Sequence, residues 1–177
     1  MMTISNILSS SRFVLVLPSI YFLWTHQIEW LVFTIFLTSL SDILDGYFAR
    51  KKNEVTELGK IIDPLADKVY VGAMTISLFV FDYIPLWFLA VILGRDILIL
   101  VVSIIITKKT KKTLMSNYIG KATVILISIT LLLTLFRSNE YVDSIVFFLQ
   151  ILSTIAMAVS LISYGNLAVN ALSKQLE

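Results

Sequence analysis

Hydrophobic residues fill most of this chain, in long runs separated by short polar segments. A helix that crosses a bilayer needs about 20 predominantly apolar residues. We predict an all-α integral membrane protein with six transmembrane helices, at roughly Ile7–Trp24, Glu29–Arg50, Glu57–Phe81, Pro85–Ile106, Asn117–Phe136 and Val142–Leu172. Few of these runs avoid charged residues entirely, so the charges are expected near helix ends or inside the bundle.

The lysines and arginines predict how these helices are oriented. Basic residues gather between the second and third predicted helices and between the fourth and fifth, at Arg50, Lys51, Lys52, Lys60, Lys108, Lys109, Lys111 and Lys112. Short cytoplasmic loops of membrane proteins carry an excess of such residues. We therefore expect both termini and both basic loops to face the cytoplasm. Trp24, Trp30 and Trp87 fall near the opposite ends of the helices, where interfacial tryptophans are common.

Composition also indicates a membrane protein, and we predict one domain over residues 1–177. The chain is 58% hydrophobic and 15% charged, whereas soluble domains are about half apolar and about one quarter charged. Its net charge of +2 is too small to suggest a nucleic-acid partner. Because the chain has no cysteine, it can form neither a disulfide nor a thiolate metal site.

Four aspartates stand out in this apolar setting: Asp42, Asp45, Asp63 and Asp67. The first two are three residues apart and the last two are four apart, so each pair lies on one face of a helix. The polar segment Lys51–Leu58 can turn the chain, which would bring both pairs to a similar depth on antiparallel helices. Crowded carboxylates repel one another and lose hydration unless cations hold them. We predict a site for two divalent cations, and oxygen-only ligands favour magnesium, manganese or calcium over zinc.

The residues beside these aspartates suggest the chemistry. Gly46 and Gly59 leave room for a ligand near the backbone, and Arg50 lies one turn beyond Gly46, where it can meet a phosphate. Metal ions that neutralise a diphosphate, with a spare carboxylate to deprotonate a hydroxyl, make a site for phosphoryl transfer. Two other interpretations stay open: ordinary interfacial aspartates, and a divalent-cation transporter. A transporter has no need of Gly46, Ala49 and Arg50.

The segment from Asp42 to Asp67 reads D-x2-D-G-x2-A-R-x8-G-x3-D-x3-D. This pattern resembles the signature of the CDP-alcohol phosphatidyltransferases. The resemblance implies a six-helix membrane fold, often dimeric, with a polar cavity open to the cytoplasm. It also implies a CDP-linked donor, an acceptor with a free hydroxyl and release of CMP.

Site roles follow from the same resemblance, position by position. It implies that Asp42, Asp45 and Asp63 bind metal, and that Asp67 joins the second metal and acts as the general base. For the donor, it implies a set of residues that accommodate the cytidine or contact the diphosphate: Asn6, Asp42, Gly46, Ala49, Arg50 and Gly59.

Two basic residues further along the chain limit which acceptor alcohols are expected. Arg95 lies inside the fourth predicted helix and Lys121 near the start of the fifth, and buried cations need anionic partners. If both face the cavity, they bind a phosphate on the acceptor, which favours glycerol 3-phosphate, inositol phosphate or phosphatidylglycerol over alcohols that carry an amine. Alternatively, Arg95 pairs with Asp96 or with one of the motif aspartates, and Lys121 extends to the membrane interface.

The first helix also bears on the acceptor. Asn6 followed six residues later by Arg12 resembles the start of bacterial phosphatidylglycerophosphate synthases within the family. We therefore expect CDP-diacylglycerol and glycerol 3-phosphate as substrates, at the cytoplasmic face of the cell membrane. Arg95-Asp96, where those synthases usually have Arg-Glu, is instead similar to the cardiolipin synthases, so cardiolipin or a phosphatidylinositol phosphate is the alternative product. For Arg12 we consider two roles, a contact with the donor phosphates or a cytoplasmic anchor.

Overall fold

Helices account for nearly all of the backbone that the structure describes. The structure, a computed structural model, describes the backbone of residues 4–52, 59–110, 118–137 and 139–173, and the side chains of 11–44, 66–107, 118–137, 139–169 and 173. Its helices are α1 (Ile4–Trp24), α2 (Ile28–Lys52), α3 (Gly59–Val80), α4 (Leu86–Thr110), α5 (Tyr118–Thr134) and α6 (Glu140–Ser173). The predicted helices are confirmed as helices, with ends a few residues from those expected. That all six cross a membrane stays a prediction.

The chain divides into two compact units, Met1–Tyr83 and Ile84–Glu177. In the first unit, α1 packs against both α2 and α3. In the second unit, α6 packs against both α4 and α5. Each unit therefore has one helix that contacts the other two.

Hydroxyl groups join the helices of the first unit. Ser19 of α1 is fully buried. Its Oγ lies 3.0 Å from Thr34 Oγ1 of α2 and 3.0 Å from the Tyr70 hydroxyl of α3. A buried hydroxyl without a partner is costly, so these contacts favour one arrangement of the three helices. The small Ser19 and Thr34 side chains also allow α1 and α2 to approach closely.

The turns of the first unit contain the two described non-glycine residues with left-handed backbone. His26 follows α1 with φ of 54°, and Asp82 follows α3 with φ of 63°; both residue types tolerate this region better than most. The Tyr83 hydroxyl lies 3.1 Å from His26 Nδ1 and so joins the two turns. Burial raises the pKa of Tyr83, so its phenol stays protonated at neutral pH.

The turn before α6 is stabilised by local polar contacts. The Val142 amide donates to Asn139 Oδ1 at 3.0 Å, so Asn139 caps the first turn of α6. Arg137 Nε donates to Asp143 Oδ1 at 2.7 Å across the same turn. Further along, Thr130 Oγ1 of α5 lies 2.9 Å from Ser153 Oγ of α6.

The outer surfaces of the helices are strongly apolar. Among the described residues, Leu86–Thr107 of α4 and Glu140–Val169 of α6 are long and apolar enough to cross a bilayer. Large side chains such as Ile97 and Phe148 are exposed, and Trp24 and Trp30 are exposed at helix ends. Exposed apolar area of this extent suits contact with lipid.

Candidate active site

A buried arginine brings two of the predicted metal ligands together. Arg12 of α1 is 0% exposed. Its Nη2 lies 2.9 Å from Asp42 Oδ1 of α2, and its Nη1 donates to Asp67 Oδ1 of α3. The sequence predicts that carboxylates of the second and third helices converge. The structure confirms this for Asp42 and Asp67.

The two carboxylates remain accessible although their arginine partner is not. The side chains of Asp42 and Asp67 are 55% and 52% exposed, respectively. The guanidinium therefore approaches them from the packed interior of the helices, and a ligand can approach from the exposed side. Burying a guanidinium is costly unless anions accompany it, and two carboxylates provide that compensation.

The donor set fits a hard divalent cation. Asp42 and Asp67 carry carboxylate oxygens, the type of ligand that magnesium and manganese prefer, and could hold such a cation. The helical backbone continues from Asp42 through Asp45 and from Asp63 through Asp67, so each pair shares a helix face. The structure does not describe the side chains of Asp45 and Asp63. Among the side chains that it does describe, no three candidate metal ligands form a cluster.

The remaining donor-site predictions fall outside the described side chains. For these positions the structure gives the helical backbone and not the surroundings of the residue: Asn6, Gly46, Ala49, Arg50 and Gly59. Their roles stay predictions.

The second unit contains a groove that both predicted acceptor residues line. Its volume is about 430 Å³, and it is formed by Arg95 of α4, Lys121 of α5 and Tyr164 of α6. Gly120 and aliphatic residues complete the lining. The structure thus brings Arg95 and Lys121 to one place, with Lys121 exposed and Arg95 buried. Two basic groups in a mostly apolar groove can bind an anionic group.

Arg95 also has partners within the protein. Its Nη1 donates to Asp96 Oδ1 at 2.7 Å and its Nη2 donates to Ser160 Oγ of α6 at 3.2 Å. Its Nε is buried and has no hydrogen-bond partner among the described residues. The predicted pairing with Asp96 is therefore confirmed, and it coexists with a position in the groove.

Two features were missed by reasoning from sequence. The contacts of Arg12 with Asp42 and Asp67 differ from both roles expected for it. A signal was present, because an arginine within an apolar run needs anionic partners, and the motif aspartates are candidates for them. Nothing in the sequence distinguished Tyr164 from the other apolar and aromatic residues of α6.

Most of the chain is similar in sequence to known proteins. Residues 2–163 match the model of the CDP-alcohol phosphatidyltransferase family. A relative from Aquifex aeolicus, the CDP-diacylglycerol–glycerol-3-phosphate 3-phosphatidyltransferase, is 39% identical over 165 residues, which are 91% of this chain and 89% of that protein.

Two further relatives match shorter stretches. The cardiolipin synthase (CMP-forming) of Streptomyces coelicolor is 33% identical over 130 residues, 68% of this chain and 59% of that protein. The CDP-diacylglycerol–glycerol-3-phosphate 3-phosphatidyltransferase of Bacillus subtilis is 40% identical over 85 residues, 48% of this chain and 44% of that protein. With a family match that spans both units and a relative aligned over nearly its whole length, the chain belongs to the CDP-alcohol phosphatidyltransferases, a family of membrane-bound enzymes.

Proposed function

We propose that this enzyme transfers the phosphatidyl group of CDP-diacylglycerol to the hydroxyl of glycerol 3-phosphate, forming phosphatidylglycerol phosphate and CMP. The observation that carries the proposal is the convergence of Asp42 and Asp67, from two helices, within the family's motif. The Aquifex aeolicus relative, which is named for this reaction and aligns with 91% of the chain, supports the choice of acceptor.

The four motif aspartates hold two divalent cations, magnesium or manganese, in this proposal. When bound, these cations neutralise the diphosphate of the donor. The contacts of Asp42 and Asp67 with the one guanidinium of Arg12 support this, since they show that the two carboxylates are neighbours. Gly46, Ala49 and Gly59 leave room for the cytidine, while Asn6 and Arg50 contact the donor.

Asp67 acts as the general base. It takes the proton from the acceptor hydroxyl, whose oxygen forms a bond to the phosphorus of the phosphatidyl group. The bond from that phosphorus to the oxygen shared with CMP breaks, and CMP leaves with that oxygen. Because about half of the Asp67 side chain is exposed, at 52%, a hydroxyl can reach its carboxylate.

Arg95 and Lys121 bind the phosphate of the acceptor. Both line the groove in the second unit, and charge-assisted hydrogen bonds to phosphate oxygens are stronger than neutral ones. The Arg95–Asp96 pair leaves Lys121 as the groove's uncompensated charge among its described lining residues. This arrangement suits an anionic alcohol better than an alcohol that carries an amine.

The arrangement in the membrane is part of the same proposal. Six helices cross the bilayer, both termini and the active site face the cytoplasm, and the protein works as a homodimer. The acyl chains of the donor stay in the lipid leaflet while its headgroup reaches the aspartates. The apolar outer surfaces of the described helices support this placement.

Release of CMP by the purified protein in detergent tests the reaction. CDP-diacylglycerol would be offered with magnesium or manganese and, in turn, glycerol 3-phosphate, phosphatidylglycerol, inositol phosphate or serine. We expect CMP with glycerol 3-phosphate, no CMP with serine, and none with any acceptor in a chelator. Absence of CMP with every acceptor and both metals would contradict the proposal.

Lys121→Gln tests the acceptor site in the same assay. Loss of one charge-assisted hydrogen bond should raise KM for glycerol 3-phosphate roughly tenfold and leave KM for CDP-diacylglycerol unchanged. Arg137→Gln is the matched control, because it removes an exposed cation whose partner is Asp143, at the turn before α6. Equal KM values for glycerol 3-phosphate in Lys121→Gln and the unaltered protein would remove Lys121 from the site.

Cardiolipin synthesis is the second candidate. The observations that favour it are the Arg95–Asp96 sequence and the Streptomyces coelicolor cardiolipin synthase, which is 33% identical over 68% of this chain. In the acceptor series, faster CMP release with phosphatidylglycerol than with glycerol 3-phosphate would favour this candidate.

A further inference from the structure

Two polar bridges in the first unit join the same three helices. Arg12 of α1 contacts Asp42 of α2 and Asp67 of α3. About two helical turns further along α1, Ser19 contacts a hydroxyl of α2 and a hydroxyl of α3. The two bridges differ in chemistry, because only the Arg12 bridge ends on carboxylates of the proposed active site.

The Arg12 bridge is rigid at its buried end. The side chain of Arg12 is completely buried, and close packing leaves a buried side chain little rotational freedom. A guanidinium also presents its N–H groups in fixed, coplanar directions, so its position determines where an accepting carboxylate oxygen lies. Asp42 and Asp67 are about half exposed, at 55% and 52%, and depend on such contacts for a defined orientation.

The bridge also supplies charge. Two carboxylates that meet the same group lie close enough to repel each other, and a positive group between them lowers that repulsion. Arg12 provides this positive charge as part of the fold, independently of any bound ion.

We propose that Arg12 is a positioning residue of the phosphotransfer site. Its buried guanidinium holds the carboxylates of Asp42 and Asp67 in one arrangement, in which Asp67 is oriented towards the acceptor hydroxyl and both are available to cations. The consequence for turnover rests on the proposed function. The electrostatic part, compensation of two carboxylates by Arg12, does not depend on which reaction the enzyme performs.

Three variants of the full chain separate positioning from general packing: Arg12→Lys, Arg12→Gln and Ser19→Ala. For each, kcat and both KM values would be measured by CMP release, and Tm would be measured in a chelator and with manganese. Arg12→Lys keeps the charge but has a single nitrogen in place of the guanidinium fork. We expect its kcat to fall on the order of 10²-fold, as for a catalytic group misplaced by about 1 Å. Its KM values should change by less than about threefold, and manganese should still raise its Tm.

Arg12→Gln removes the charge as well. Its Tm in chelator should lie below that of Arg12→Lys, because the two carboxylates then repel without compensation. Manganese should raise its Tm by more than it raises that of the unaltered protein, since the cation supplies the missing charge. Ser19→Ala, which removes the other bridge between the same helices, should lower Tm by roughly 2–4 °C for each hydrogen bond lost and leave kcat unchanged.

The proposal is overturned if Arg12→Lys keeps the kcat of the unaltered protein, or if Ser19→Ala loses as much kcat as Arg12→Lys. Should Arg12→Gln fail to fold, the kcat values of Arg12→Lys and Ser19→Ala still decide whether Arg12 is a positioning residue. If the unaltered protein releases no CMP with any acceptor, the proposed reaction is wrong. The Tm values then decide whether Arg12 compensates the charges of the two carboxylates. A chelator Tm and a manganese response of Arg12→Gln equal to those of the unaltered protein would then refute its role.

Discussion

Asp67 combines two properties that are difficult to obtain in one residue of an apolar helix. Its carboxylate is held by the buried Arg12, whose contact limits its orientation. About half of the side chain is nevertheless exposed, at 52%, so a substrate hydroxyl can approach. A base that is both oriented and accessible is what proton transfer from an alcohol requires.

Asp67→Asn should abolish most of the transfer and spare binding. Asparagine keeps an oxygen that can accept a hydrogen bond from Arg12, so the fold should persist, but it cannot take a proton. We expect kcat to fall by about 10²–10⁴-fold, while manganese still raises Tm and the donor still binds. Asp143→Asn is the control, because it also removes a carboxylate paired with an arginine, Arg137, at an exposed turn. Turnover of Asp67→Asn equal to that of the control would remove the general-base assignment.

At the scale of helices, small hydroxyl side chains decide which faces meet. In the second unit, Thr130 and Ser153 are both fully buried and join α5 to α6. Thr123 Oγ1 lies 3.3 Å from the Ala156 carbonyl oxygen, one or two turns away on the same two helices. In a lipid environment such contacts and close packing replace the hydrophobic effect as the cause of helix association.

Thr130→Val should weaken the contact between α5 and α6. Valine has nearly the shape of threonine, but it cannot hydrogen-bond to Ser153 and leaves that hydroxyl without this partner. A loss of about 1 kcal/mol corresponds to a fall in Tm of roughly 2–4 °C for a chain of this length. Ser128→Ala on the same helix is the control, since Ser128 is exposed and donates to Val124 O within α5. Thermal unfolding in detergent measures both, and an equal loss in the control would contradict the role of the interhelical bond.

At the scale of the whole molecule, the helices have apolar outer surfaces, and several arginines among the described residues pair with carboxylates. Arg12 and Arg95 are buried with carboxylates beside them, whereas Arg137 pairs at an exposed turn. Other basic residues gather along the sequence at 50–60 and at 108–112, where helices end or begin. This distribution is what positive-inside orientation requires.

Labelling of introduced cysteines tests the proposed orientation of the helices in the membrane. Because the chain has no cysteine of its own, only the introduced residue can react. Gln27→Cys lies in the turn between α1 and α2, and Ser116→Cys lies in the segment between α4 and α5. In intact cells, a membrane-impermeant maleimide should label Gln27→Cys and leave Ser116→Cys unlabelled until the cells are opened. The reverse pattern would place the active site outside the cytoplasm, and the unaltered chain controls for background labelling.

The sequence alone determined the local features of this protein. Long apolar runs predicted the helices, since the length of a membrane span and the need to satisfy backbone hydrogen bonds leave few alternatives. Spacing placed Asp42 with Asp45 and Asp63 with Asp67 on single helix faces, and the motif predicted their chemistry. These inferences depend only on residues that are near one another along the chain.

Only the tertiary structure decided which helix faces contact one another. Helical periodicity fixes the direction of a side chain on its own helix, but the contacts between helices depend on how several side chains pack together. For that reason the sequence left two roles open for Arg12, and neither was its contact with Asp42 and Asp67. The groove that unites Arg95, Lys121 and Tyr164 was likewise decided by packing, because these residues come from three different helices.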